Sequence, residues 1–155
     1  MKAIRICNLF LAGVLTGNEF GGFVGFHPAL YRLPTEAHAS AEQEITARFS
    51  RIMPPFMITT IVSFVPALSL ARDSHSFRFT LAGMLCYVAM LGVTFAGNMP
   101  VNRRTLNLDP GSVSREEFLS LRRRWDGFHA VRNLLNAAGL VFATLGALSD
   151  AGRGT

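Results

Sequence analysis

Three stretches of this chain carry no charged side chain at all: 52–71, 79–102 and 133–149. Each is bracketed by arginine or aspartate, and each approaches or exceeds the ~20 apolar residues that a bilayer core demands of a helix. In lipid every backbone amide must find its partner within the protein, so a lone apolar segment can cross only as a helix. The composition agrees. Half the residues are hydrophobic and 16% are charged, against about 25% for an ordinary soluble domain. Mean hydropathy is +0.31.

The amino-terminal segment is less uniform, because Ile4 to Phe26 contains Asn8, Asn18 and Glu19. Lys2 and Arg5 ahead of an apolar run look like a secretory signal, but no small-x-small cleavage pattern ends it and the apolar run continues past Glu19 into "FGGFVGFHP". It therefore reads as a retained helix. The expected fold is all-α: residues 1–155 form a single four-helix transmembrane domain, an integral membrane antiparallel bundle with spans near 4–26, 53–71, 79–98 and 128–149. Cys7 and Cys86 fall inside spans, as small buried thiols rather than a disulfide framework or thiolate metal cluster. The net charge of +5 belongs to loop arginines facing lipid headgroups, and no nucleic-acid motif accompanies it.

Residues 27–52 and 99–127 read as long polar connections and 72–78 as a short turn, so both long loops share one face and both termini the other. Nine Lys and Arg residues fall in the connections on the long-loop face and five (Lys2, Arg5, Arg72, Arg78, Arg153) on the opposite one, Arg5 just inside the start of the first span. The positive-inside bias then places the long loops in the cytoplasm, with the bacterial inner membrane as the expected location. "SREE" at Ser114 to Glu117 matches a capping box, and the helix it starts runs unbroken into the fourth span, extending beyond the bilayer.

Polar residues inside the spans are placed by helical period. Trp125, His129, Arg132 and Asn136, followed by Gly139 and Ala143, keep to one narrow stripe, polar first and then small, as expected of a face turned to other helices. Tyr87, Thr94 and Asn98 share a face of the third span, and Thr59, Ser63 and Pro66 line up on the second. With alternating helix direction, His27-Pro28, Met53-Pro54-Pro55, Asn98-Met99-Pro100-Val101-Asn102 and Trp125/His129/Arg132 all meet at the long-loop end and form a polar, aromatic mouth. Asparagine beside proline also caps helices, and interfacial Trp and Arg also anchor them. Glu19 is the sharpest feature, since an ionisable group at that depth costs at least about 2.5 kcal/mol unless compensated. A salt bridge to Arg132, a proton-accepting or ligand-binding role, and a neutral carboxyl hydrogen-bonded to Asn18 or a neighbouring helix all remain open.

At these residues the chain resembles the anthrone oxygenase-like membrane proteins: "GNEFG" then "HPAL", "MPPFM", "GNMPVNRR" and "WDGFHAVR", spread over nearly its whole length. The resemblance implies a four-helix membrane protein that oxidises anthrones or other lipophilic hydroxyaromatics with molecular oxygen, without flavin or haem. Such chemistry needs a base, charge stabilisation and a dry aromatic slot. His129 is the expected base, with an ordinary pKa of about 6.5. Glu19 orients it, and Arg132 with Asn98 and Asn102 holds the anionic oxygen. Trp125 and Phe128 stack the rings, and Tyr87, His27 and Asn18 complete the binding set. Oxygen is then a co-substrate and no resident cofactor or metal is expected. The partners expected are the bilayer and a lipophilic aromatic molecule, with room for a homo-oligomer. Two alternatives stand beside this reading. His27, His129 and Glu19 match the two-histidine, one-carboxylate set of non-haem iron, and a non-enzymatic subunit or small-molecule binder would need the mouth only for binding.

Overall fold

The chain is described by a computed structural model covering residues 2–71 and 73–151. Arg72 and Arg153, counted in the charge balance above, lie outside these residues. Four helices make up the fold: α1 (Lys2–Leu30), α2 (Thr35–Ser69), α3 (Ser74–Leu106) and α4 (Arg115–Ala151). There is no strand among the described residues. Each helix is long and apolar enough to cross a membrane. The outer faces present Ile6, Phe10 and Phe20 on α1, Ile52, Ile58 and Val62 on α2, Leu85 on α3 and Leu134 on α4, all exposed. The interior meanwhile holds Asn8, Glu19, His27, Glu42, Arg122, His129, Arg132 and Asn136. An apolar exterior around a polar interior suits a lipid surround, where ionisable side chains face the bundle and pair with one another.

Two expectations about length change. Residues 35–52, read above as loop, are the first half of α2. The stretch "TEAHASAEQEITARFSR" is rich in strong helix formers and lacks glycine. Pro54 and Pro55 lie inside the helix rather than at its start. The third segment likewise continues past Asn98 to Leu106. On α2 the buried face is Met53, Met57, Thr60, Phe64 and Ala67. Thr59 and Pro66 are exposed, and Ser63 is half-buried. Thr59 closes on its own helix, donating to the Pro55 carbonyl at 2.8 Å. The start of α4 is as expected: Ser114 Oγ accepts the Glu117 amide at 3.2 Å.

Contacts between helix ends fix their order. Near the start of α1, Arg5 donates to Ser76 and Thr80 at the start of α3, and Asn8 donates to Ser63 late in α2. Ser76 in turn donates to the Gly146 carbonyl late in α4. At the other end His27 meets Glu42 and Arg122, and Asn98 meets Trp125. This is the pairing that a chain reversing direction at each connection produces.

Close packing of α3 on α4 runs through small residues. A Cβ added at Gly83 would sit 3.0 Å from the Gly139 carbonyl oxygen, and one at Gly139 would sit 2.8 Å from the Tyr87 ring. No side chain fits there, so the backbones approach as small-residue membrane interfaces allow.

α1 and α3 share a second device. Each opens into one wide π turn, Gly22–Phe26 and Thr94–Asn98, in which the amides of His27 and Met99 bond to carbonyls five residues back, Gly22 and Thr94. Both turns end two residues before a proline, Pro28 and Pro100. Proline lacks the N–H that would bond four residues back, and its ring collides with the carbonyl there. Widening the turn moves the Val24 and Ala96 carbonyls aside. Such turns recur at functional sites because they re-aim the side chains that follow.

Candidate functional site

A cavity of about 460 Å³ lies within the bundle at the end where α1 and α3 carry their π turns. That volume falls in the roughly 300–1,000 Å³ range of small-molecule sites. Its walls come from all four helices: Glu19, Gly22 and His27 of α1; Glu42, Thr46, Met53 and Met57 of α2; Thr94, Met99 and Asn102 of α3; Trp125, His129 and Arg132 of α4. Met53-Pro54-Pro55 was expected at the mouth, and α2 supplies much more of the wall than that, from Glu42 to Met57.

Two buried charge clusters meet at the polar end. In the first, Arg132 Nη2 donates to Glu19 Oε1 at 2.5 Å and His129 Nε2 lies 3.1 Å from Glu19 Oε2. All three residues are at most 6% exposed. Of the three readings of Glu19, the salt bridge to Arg132 is therefore the one observed, with His129 as a further partner. Arg132 and His129 are one turn apart on α4, so a single carboxylate from α1 can reach both.

The second cluster was not foreseen. His27 Nδ1 lies 3.0 Å from Glu42 Oε1, Arg122 Nη2 lies 3.1 Å from the same oxygen, and His38 Nε2 lies 3.5 Å from it. Arg122 is 1% exposed. It also donates to Asp126 Oδ1 at 3.4 Å and sits over the Trp125 ring, 4.4 Å from its centroid. Tyr31, in the connection after α1, donates its hydroxyl to Asp126 Oδ2. Burial first, and that hydrogen bond second, push the Tyr31 hydroxyl up to about 12. The α4 stripe could have been extended one turn back to Arg122 and two turns back to Phe118, and His38 and Glu42 are spaced i, i+4. The assignment of 27–52 to a loop hid the second signal.

The imidazoles of His27 and His129 face each other edge to face with ring centroids 5.6 Å apart. Trp125 lies against both, at 4.6 and 4.5 Å, and its indole N–H donates to Asn102 Oδ1 at 2.7 Å. A Cβ at Gly22 would touch His129 Cε1 at 3.4 Å and His27 Nε2 at 3.8 Å. The two rings thus share the space over Gly22, where the first π turn begins.

Seven of the ten predicted residues line this cavity: Glu19, His129, Arg132, Asn102, Trp125, His27 and Asn18. Three lie behind its wall. Asn98 is fully buried and donates to the Trp125 carbonyl at 3.3 Å, which ties the second π turn to α4. Phe128 packs over Gly97, where a Cβ would fall 2.5 Å from its ring. Tyr87 is fully buried, lies 2.8 Å from the Thr16 hydroxyl and donates to the Ala12 carbonyl at 3.1 Å. Among the described residues, no three His, Cys, Asp or Glu side chains are grouped to hold a metal ion.

The family profile described as anthrone oxygenase matches residues 43–142, from α2 into α4. The chain belongs to the anthrone oxygenase family. The matched stretch holds Met53, Thr94, Asn102, Trp125, His129 and Arg132 of the cavity wall, whereas the α1 contributors Glu19 and His27 precede it. No curated protein and no solved structure matches the chain.

Proposed function

We propose that the chain is a membrane-embedded oxygenase that converts an anthrone-like or related hydroxyaromatic molecule to its quinone with molecular oxygen. The observation that carries this reading is the buried Arg132–Glu19–His129 set on the wall of an otherwise largely apolar cavity. The family supports the same direction.

The chemistry needs no resident cofactor. His129 removes a proton from the acidic methylene, and Glu19 holds the imidazole and balances its charge. Arg132 and the Asn102 side-chain amide hold the oxygen on which the negative charge gathers. The electron-rich carbanion reduces oxygen by one electron and recombines with it at the same carbon, and the proton returns to give a hydroperoxide. Loss of water across the C–H and O–O bonds then leaves the carbonyl. One methylene and one O2 become one C=O and one H2O, so no outside reductant is required.

The test is oxygen uptake and quinone absorbance with purified protein in detergent supplied with an anthrone. Equimolar oxygen consumption and quinone formation are expected. His129→Gln should lower kcat by roughly 10²–10⁴, the usual worth of a positioned base. Tight binding of the anthrone with no oxygen uptake would replace the oxygenase by a small-molecule binder.

A further inference from the structure

The cavity does not close on all sides. Part of its lining is exposed on the outer surface of the bundle: Gly17, Asn18 and Gly21 on α1 and Phe49 and Ser50 on α2, with Pro54 half-buried between them. A Cβ at Gly17 or at Gly21 would meet nothing within 4 Å. These glycines are therefore not packing against a neighbour; they leave a gap.

What surrounds this gap decides what can pass through it. Val14, Phe20, Phe23 and Val24 on α1 and Ile52 and Ile58 on α2 are exposed around it. Arg48 and Arg51 are exposed on α2 at the level where its outer face turns from charged to apolar. That is the pattern of the headgroup-to-acyl boundary, where arginine marks the interface and apolar residues face the chains. The rim also carries an unusual acceptor. Pro54 has no N–H, so the Ser50 carbonyl loses the helical donor four residues on. In apolar surroundings such a carbonyl favours any molecule that brings a hydroxyl to it.

We propose that the cavity is loaded sideways from the bilayer, through a mouth between Gly17 and Gly21 of α1 and Ser50 and Pro54 of α2. The molecule that passes is flat and lipophilic and carries a hydroxyl. The glycines set the width, the Ser50 carbonyl reads the hydroxyl, and the charged clusters form the far end. The inference rests on the cavity being the binding site, as in the function proposed above, but not on the oxygen chemistry.

Trp125 is the only tryptophan in the chain, and it lines the cavity, so its fluorescence reports what reaches the interior. The protein is reconstituted in phosphatidylcholine vesicles with brominated or unbrominated acyl chains and is separately titrated with iodide in the water. Brominated lipid should reduce Trp125 emission by half or more, whereas iodide should have little effect. Gly17→Leu with Gly21→Leu, whose Cβ atoms meet nothing within 4 Å and whose longer branches narrow the mouth, should restore most of the lost emission. It should also raise the apparent Kd of a membrane-dissolved hydroxyanthracene by more than tenfold. Quenching by iodide in place of brominated lipid, by neither, or by brominated lipid equally in the double variant would each overturn the lateral mouth. Absence of oxygen uptake would sink the oxygenase and leave this assay unchanged.

Discussion

Glu19 accepts from Arg132 and faces His129 from a position 5% exposed, and its two tasks can be separated by substitution. In Glu19→Gln the amide oxygen still accepts from Arg132, but the guanidinium loses its counter-charge. Breaking a buried pair on one side costs about 3–5 kcal/mol. The protein should remain folded with a lowered thermal midpoint, and oxygen uptake should be lost. Combining Glu19→Gln with Arg132→Met removes the stranded charge, so the midpoint should recover while uptake does not. Full uptake in the single variant would reduce Glu19 to a structural ion-pair partner. Glu19 was legible as a residue needing compensation because the cost of a carboxylate in a span is a local property. Arg122, equally buried, falls on the inward stripe of α4, but its pairing with Glu42 and His27 was not legible, because those residues lie on other helices and only folding brings them within reach.

At the scale of the element, the two π turns decide where His27 and Asn98 point. Restoring the N–H in Pro28→Ala allows a bond to the Val24 carbonyl, and the wide turn can close to an ordinary α turn. That removes one residue from the turn and swings His27 by about 100° relative to the rest of α1. The expected outcome is a more stable helix, since an interior proline costs about 3 kcal/mol, with much weaker hydroxyaromatic binding. Thermal denaturation and ligand titration on the same preparation measure both. Unchanged affinity would mean that the turn does not position His27. The interior stripe of α4, from Trp125 through Asn136 to Ala143, was readable because a helix converts sequence spacing directly into a face, and all of it is buried. The first half of α2 was misread for a complementary reason. Its residues are polar outside and pair inside through His38 and Glu42, so neither hydropathy nor a simple amphipathic pattern marks them.

For the whole molecule, the reversal of direction at each connection makes a topological prediction. With Cys7 and Cys86 replaced, single cysteines at Thr35, Ser74 and Ser112 are labelled from either side of sealed vesicles. Thr35 and Ser112 should label from one side and Ser74 from the other; any other distribution removes the four-span arrangement. The length of α4, 37 residues, is about 55 Å at 1.5 Å per residue, well beyond a ~30 Å hydrocarbon core. The part around Arg115 to Arg124, with its three consecutive arginines, should accordingly lie outside the bilayer on the Thr35 side.

The sequence by itself determined that there are four helices, that they suit a membrane, which face of α4 turns inward with His129 and Arg132 on it, and that Glu19 needs compensation. Each of these follows from properties that neighbouring residues carry locally: hydropathy, charge-free length and helical period. Only the tertiary structure decided that Glu42 and Arg122 form a second buried cluster and that the first half of α2, through Glu42 and Thr46, walls the cavity. The same packing set Asn98, Phe128 and Tyr87 behind that wall and left a gap open beside Gly17 and Gly21. Those outcomes depend on the distances between helices and on how far each is turned about its axis. They are set by glycines against rings at Gly97 and Gly139 and by prolines that widen a turn, and no period along one strand of sequence encodes them.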